Sequence, residues 1–93
     1  MLKWSEEKDA WLSIERGVRF QDITDAILSQ GLIDIIESPG RHDQQAFVFW
    51  LKEYVWVAPF VLEKDGSIFL KTAYPSRKMM DRYGGPNGKT SKP

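Results

Sequence analysis

Apolar and polar residues change their period along the chain, and the changes divide it into elements. Trp4, Trp11, Leu12 and Ile14 form an apolar stripe at helical spacing. Ser5 stands before it as an N-cap, with Glu6 and Glu7 in the first turn, where carboxylates suit the helix dipole. Gly17 follows Arg16 as a stop. A second helix is expected over about 21–30, burying Ile23, Ala26, Ile27 and Leu28 and ending at Gly31. After Gly31 the spacing becomes that of strands. Leu32 to Glu37 reads as one strand, closed by Ser38, Pro39 and Gly40. Gln45 to Leu51 and Tyr54 to Leu62 are aromatic and β-branched runs joined by Lys52-Glu53, a link of hairpin length without the glycine a tight turn prefers. Lys64, Asp65 and Gly66 turn the chain into a strand over Ser67–Ala73. Pro59 has no N–H for a ladder, so it belongs at a bulge or an edge-facing position. Ser76 caps a last helix running to about Tyr83. Each helix is short and depends on packing.

These elements specify an α+β domain over residues 1–83. The expected elements are two N-terminal helices, four strands and a short C-terminal helix. Residues 84–93 hold no apolar side chain and read as a disordered basic tail. The two central strands are apolar on both faces, whereas a sheet with one wet face alternates apolar with polar. Either the small domain wraps both faces, or a second copy or another protein buries part of one. The partner is the favoured reading.

Composition narrows the function classes. Ninety-three residues allow one domain with a thin core. The absence of cysteine excludes a disulfide scaffold, a zinc ribbon and thiol catalysis, and a single histidine excludes a multi-histidine metal site. No carboxylates have metal-loop spacing and no glycine-rich phosphate loop occurs, so neither metal nor cofactor is expected. The opening residues lack the apolar core of a signal peptide, and the longest nearly uncharged stretch, Val55 to Leu62, is far below the ~20 residues of a membrane helix. A soluble, cytoplasmic protein without a membrane partner is expected.

Thirteen basic and thirteen acidic side chains cancel, which excludes diffuse coating of nucleic acid. The sum conceals a polarity. Residues 1–40 carry four basic groups against eight acidic, and from Gly66 onward six basic groups stand against Asp81 alone. The densest cluster is Leu70-Lys71-Thr72-Ala73-Tyr74-Pro75-Ser76-Arg77-Lys78. Cations in a first helical turn oppose the macrodipole, so fold stability does not ask for Arg77 and Lys78 there. With Ser76 Oγ they suit a phosphate group. The plain alternative is that both point to water or pair with Asp81 at helical spacing. Arg41 and His42, in the loop after Gly40, offer a cation and an acid–base group, though a lone loop histidine is more often merely solvated. Tyr74 and Tyr83 flank the cluster and suit contact with a nucleotide, as does Arg82 for its phosphates. The tryptophans at 4, 11, 50 and 56 sit at core spacing.

Two stretches resemble a known family. Lys3-Trp4-Ser5-Glu6-Glu7-Lys8, with the helix end Glu15-Arg16-Gly17-Val18-Arg19-Phe20-Gln21-Asp22-Ile23, is similar to the start of BrnT-like toxins of the RelE/ParE superfamily. Tyr74-Pro75-Ser76-Arg77-Lys78 resembles the strand-to-helix signature of that group. The resemblance spans roughly residues 2–83. It implies a RelE-like α+β fold, with two N-terminal helices packed on a twisted, mainly antiparallel four-stranded sheet and a short C-terminal helix, and a toxin component of a bacterial type II toxin–antitoxin system. It also implies metal-independent endoribonuclease activity, a cognate antitoxin, RNA as substrate, and operator DNA and a second copy as further partners. Cleavage in such toxins uses the RNA 2′-hydroxyl, with basic and aromatic side chains offsetting charge on the phosphate. The matching residues are Arg77 and Lys78, then Lys71 on the preceding strand. BrnT-like proteins commonly carry Lys-His-Gly where this chain has Glu15-Arg16-Gly17, so an acid–base role falls to Arg16, to His42 or to no residue. The superfamily also holds members that do not cut RNA. A non-catalytic, homodimeric or partner-bound module acting in DNA or operon binding is therefore the rival reading.

Overall fold

The computed structural model describes residues 1–38, 40, 41 and 44–84. His42 and the expected tail over 85–93 lie outside the described residues. The elements, in order, are β1 (Leu2–Lys3), α1 (Glu6–Arg16), α2 (Phe20–Ala26) and a π-type turn (Ile27–Gly31), followed by β2 (Leu32–Glu37), β3 (Gln45–Leu51), β4 (Tyr54–Leu62), β5 (Ile68–Leu70), β6 (Tyr74–Pro75) and α3 (Arg77–Tyr83). Among the described residues the chain is α+β, with three α-helices and a mixed sheet.

Local chemistry sets the helix ends. Ser5 Oγ accepts from Lys8 N at 3.2 Å, and Gly17, at φ 69°, closes α1 in the left-handed region open to glycine. α2 begins on a carboxylate from another element. Asp9, buried in the middle of α1, accepts from Phe20 N at 2.7 Å and from the Arg19 guanidinium at 2.8 and 3.1 Å. Burial works to raise the Asp9 carboxyl. The Phe20 N–H and the Arg19 guanidinium outweigh it and hold the pKa below the ordinary carboxylate value. The second helix is shorter than expected, because Ser29 and Gln30 leave helical angles before Gly31. A side chain at Gly31 would meet Ala26 O at 2.6 Å and Trp50 O at 3.0 Å, so the chain passes here only as glycine.

The sheet has six strands rather than four. Its order is β1-β5-β4-β3-β2, with β6 pairing β4 beyond the end of β5. β1 runs parallel to β5; the other pairings are antiparallel. Of the strand expected over Ser67–Ala73 only Ile68–Leu70 forms, as β5, because Lys71 to Ala73 leave the ladder opposite Pro59; pairing resumes beyond the expected strand, as β6. Pro59 O accepts from Lys71 N at 2.9 Å, and the missing Pro59 N–H would point the same way, into the gap between β5 and β6. Lys52 and Glu53 make the β3–β4 turn with φ of 54° and 62°, the conformation of a type I′ turn without its glycine.

Both faces of the central strands are covered from within the chain. Leu12, Val18, Phe20, Ile23 and Ile27 pack with Phe47, Phe49, Trp56, Ala58 and Phe60 on one face. On the other, Met79 with Met80 and Tyr83 covers Ala46, Val48, Val55 and Val57. This corrects the expectation that a partner buries these strands: α3 does so. Two members of the expected helix stripe also lie outside the core. Trp11 is 39% exposed and Ile14 81%. The apolar surface left open is β2, the edge strand, where Leu32, Ile33 and Ile35 are exposed. Among the described residues no helix is long and apolar enough to cross a membrane.

Candidate nucleic-acid interface

The β6–α3 junction is held by backbone bonds. Tyr74 and Pro75 pair with Val57 and Trp56, and Ser76 N donates to Val55 O at 2.9 Å. Ser76 Oγ accepts from Met79 N at 3.1 Å. One lone pair of that oxygen is thus engaged as the N-cap, which leaves the Ser76 hydroxyl its hydrogen and one lone pair for a ligand. From this anchor α3 crosses the face of the sheet, and Tyr83 Oη donates to Asp34 Oδ2 on β2 at 2.9 Å. Met79, Met80 and Tyr83 turn inward, so the helical period turns Arg77, Lys78, Asp81 and Arg82 outward, and all four are exposed.

Of the two forms of the plain alternative, the pair with Asp81 does not form, and Arg77 and Lys78 point to water. Among the described residues, Arg77, Lys78 and Asp81 enter no salt bridge. Lys71 lies on the same sheet edge as Arg77, level with Pro59, and its ammonium stands 5.9 Å from the Phe69 ring centre. Lys71 stands four strand residues, about 14 Å, from the Val55 level at which Ser76 leads into Arg77 and Lys78, so these cations are strung along one edge, and Arg82 sits a turn along α3 beside the Tyr83 ring. Tyr74 is half-buried under α3, and burial pushes its phenol up. Burial and the bond to Asp34 do the same for Tyr83. Tyr83 is consequently turned towards β2 and away from Arg77.

Not every expected residue joins the group. Arg41 lies on the β2–β3 turn, where Arg41 N donates to Ser38 O. Gln45, which follows that turn, is level with Phe60, whereas Ser76 is level with Val55. Five residues of strand, about 17 Å, separate the two levels, so Arg41 is remote from the Arg77 cluster. His42 lies outside the described residues. Among the described residues no acidic or histidine cluster is arranged to hold a metal ion.

The structure gives Arg16, until now only a candidate for an acid–base role, a place beside the site. Its Nη1 donates to Ala73 O at 2.7 Å, tying the end of α1 to the segment that leads into β6. Its guanidinium also lies 4.7 Å from the centre of the Trp11 ring. Arg16 thus reaches the edge that carries Lys71 and Arg77 from the opposite face of the sheet. The sequence signal was its place immediately before the helix-ending Gly17, which marks where α1 stops but not what lies beside it.

No protein-family model, curated protein or solved structure matches this chain. A separate concave surface of about 630 Å³ lies on the helix-bearing face, lined by Leu2, Trp4, Ile27, Leu28, Leu32 and Phe47 among others. It adjoins the exposed β2 edge and its lining contains no cation, which separates it from the basic edge.

Proposed function

We propose that this chain is a BrnT-like toxin component of a type II toxin–antitoxin system that binds RNA along the β6 edge and the outer face of α3, and cuts it without a metal. The observation that carries the reading is the set of exposed cations at one edge, Lys71, Arg77 and Lys78, which enter no ion pair among the described residues. Side chains with no intramolecular charge partner are ready to meet phosphates. In cleavage by the neighbouring 2′-hydroxyl, negative charge grows on the phosphate, and fixed cations beside it stabilise that charge more than they stabilise the ground state. Arg77, with its planar fork, suits two phosphate oxygens, and Lys78 and Lys71 supply point charges. Arg82 extends the surface by one helical turn.

The antitoxin belongs at the other side of the molecule. Leu32, Ile33 and Ile35 on a free sheet edge, with Leu28 and the adjoining groove, make an apolar surface suited to a protein partner. The same surface favours the rival reading, a non-catalytic partner-bound or homodimeric module acting on DNA. Incubating the protein with single-stranded RNA separates the two. Cleavage in metal-free buffer, lost in Arg77→Ala/Lys78→Ala, is the expected result. Undiminished cleavage in that variant removes the site assignment, and intact RNA with bound operator DNA establishes the rival.

A further inference from the structure

Trp11 is a large aromatic side chain on the surface, and the structure gives it a charged setting. Lys8 Nζ lies 4.4 Å from its ring centre and the Arg16 guanidinium 4.7 Å. Beside it is a shallow hollow of about 410 Å³ lined by Ser5, Glu7, Lys8 and Trp11. Arg16 meets Ala73 O at 2.7 Å. Four residues separate Ala73 from Arg77, at most about 14 Å of extended backbone. The indole is therefore linked, through one side chain and one carbonyl, to the edge that carries the free cations.

We infer that Trp11, Lys8 and Arg16 form a subsite for one nucleotide of a single-stranded nucleic acid whose strand continues over the sheet edge to the Arg77–Lys78 phosphate site. The inference rests on the RNA-binding reading of that site. The chemistry of the three side chains matches the two halves of a nucleotide. Lys8 and Arg16 lie over the ring in the free chain, so a base of any sequence stacks on the indole by displacing a cation, which then takes its phosphate. Glu7 decides the orientation. Its carboxylate repels a phosphate and accepts from an exocyclic amino group, so the base occupies the hollow beside Glu7 and the phosphate lies towards Arg16. Arg16 bonds Ala73 O through Nη1, and its other N–H groups remain available to a phosphate oxygen. Such a site adds affinity for strands with unstacked bases and adds nothing for a ligand that is only phosphate.

The test is equilibrium binding of hexaadenylate and of inorganic tripolyphosphate to the full chain and three variants. Trp11→Leu keeps apolar bulk and removes the aromatic face. It is expected to weaken hexaadenylate binding roughly 5- to 150-fold, the equivalent of one lost stacked base, and to leave tripolyphosphate binding unchanged. Trp11→Phe, which keeps a smaller ring, is expected to retain most of the affinity. Arg77→Ala/Lys78→Ala is expected to weaken both ligands. Equal hexaadenylate affinity in Trp11→Leu and wild type, with loss in Arg77→Ala/Lys78→Ala, overturns the subsite and leaves the phosphate site standing. No hexaadenylate binding by the wild-type chain overturns both. A parallel loss of tripolyphosphate binding in Trp11→Leu also overturns the subsite, because it reports damage beyond the aromatic face.

Discussion

Replacing Asp9 should cost this domain a large share of its stability, because a charged residue in α1 is the cap of α2. The carboxylate is 6% exposed and accepts from the buried Phe20 N–H at 2.7 Å. Asp9→Ala leaves that N–H without its partner, a loss of about 1–3 kcal/mol for a buried donor. The Arg19 side of the pair adds less. Its guanidinium side chain is 57% exposed, and ion pairs open to solvent contribute about 0–1 kcal/mol. The sum is about 1–4 kcal/mol, against the roughly 5–14 kcal/mol expected of a chain this size. Urea unfolding followed by circular dichroism at pH 7 measures it. Asp9→Asn isolates the charge, since the amide oxygen still accepts from Phe20 N while attraction to Arg19 is gone. The pH dependence has a definite sign. A carboxyl whose folded pKa is lowered contributes stability that is complete above its unfolded value, about 3.9, and is lost as pH falls through the folded value. The difference between wild type and Asp9→Asn should thus be present at pH 6 and vanish in stronger acid. A loss below about 1 kcal/mol for Asp9→Ala at pH 7 would refute the capping account. An Asp9→Asn difference that persists unchanged below pH 3 would refute the electrostatic one.

Two backbone predictions follow from the turn geometries. Lys52→Asn/Glu53→Gly supplies residues that accept the positive φ observed at both positions, and should stabilise the domain by about 1–2 kcal/mol in the same urea assay, the contact of Lys52 Nζ with Gly17 O being exposed and worth little. Gly31→Ala forces a methyl group against two backbone oxygens and should destabilise by about 1–3 kcal/mol, seen as a lower unfolding midpoint at unchanged denaturant slope.

The parts of the fold legible in the sequence are those whose signal is local. β2, β3 and β4 coincide with their apolar runs, and Gly17 ends α1 as expected, whereas α2 gives out before Gly31. Pro59 lies opposite the gap in its neighbouring strand because its missing N–H is a local fact. What was hidden depends on partners distant in sequence. β1 and β6 are two residues each, and become strands only because Ile68–Phe69 and Trp56–Val57 are beside them. The helix stripe misplaced Trp11 and Ile14, because α1 turns Asp9 and Leu12 inward to cap α2 and reach the core. A hydrophobicity pattern ranks Asp9 among the solvent-facing residues, and only the fold shows the Phe20 N–H waiting for it. The same limit applies to the candidate site. Arg77 and Lys78 were visible as cations out of place in a first turn, whereas the approach of Arg16 from 57 residues away in the chain was not.

The zero net charge acquires a different meaning once the carboxylates are located. Much of the acidic excess of the first half has internal work. Asp9 holds Phe20 and Arg19, Asp22 accepts from Arg19 N, Asp25 accepts from Gln21, and Asp34 accepts from Tyr83 and from Ile35 N. In the second half, Glu63 and Asp65 hold Lys3, and Asp65 also accepts from Ser67 N. These contacts hold carboxylates to caps and turns, so those groups are not free to swing across the molecule and neutralise a distant cation. The basic residues of the β6 edge are distributed differently. Lys71, Arg77 and Lys78 have no carboxylate in contact among the described residues, and Arg16 spends one N–H on a carbonyl. At physiological ionic strength the screening length is about 8 Å, so carboxylates farther than that from the edge weigh little on it. Asp81 is the near one, outward on the same helix as Arg77 and Lys78, and an approaching phosphate meets the cations of the edge less that one charge. Neutrality of the whole chain limits non-specific binding, while the edge retains the field needed for one phosphate-bearing strand.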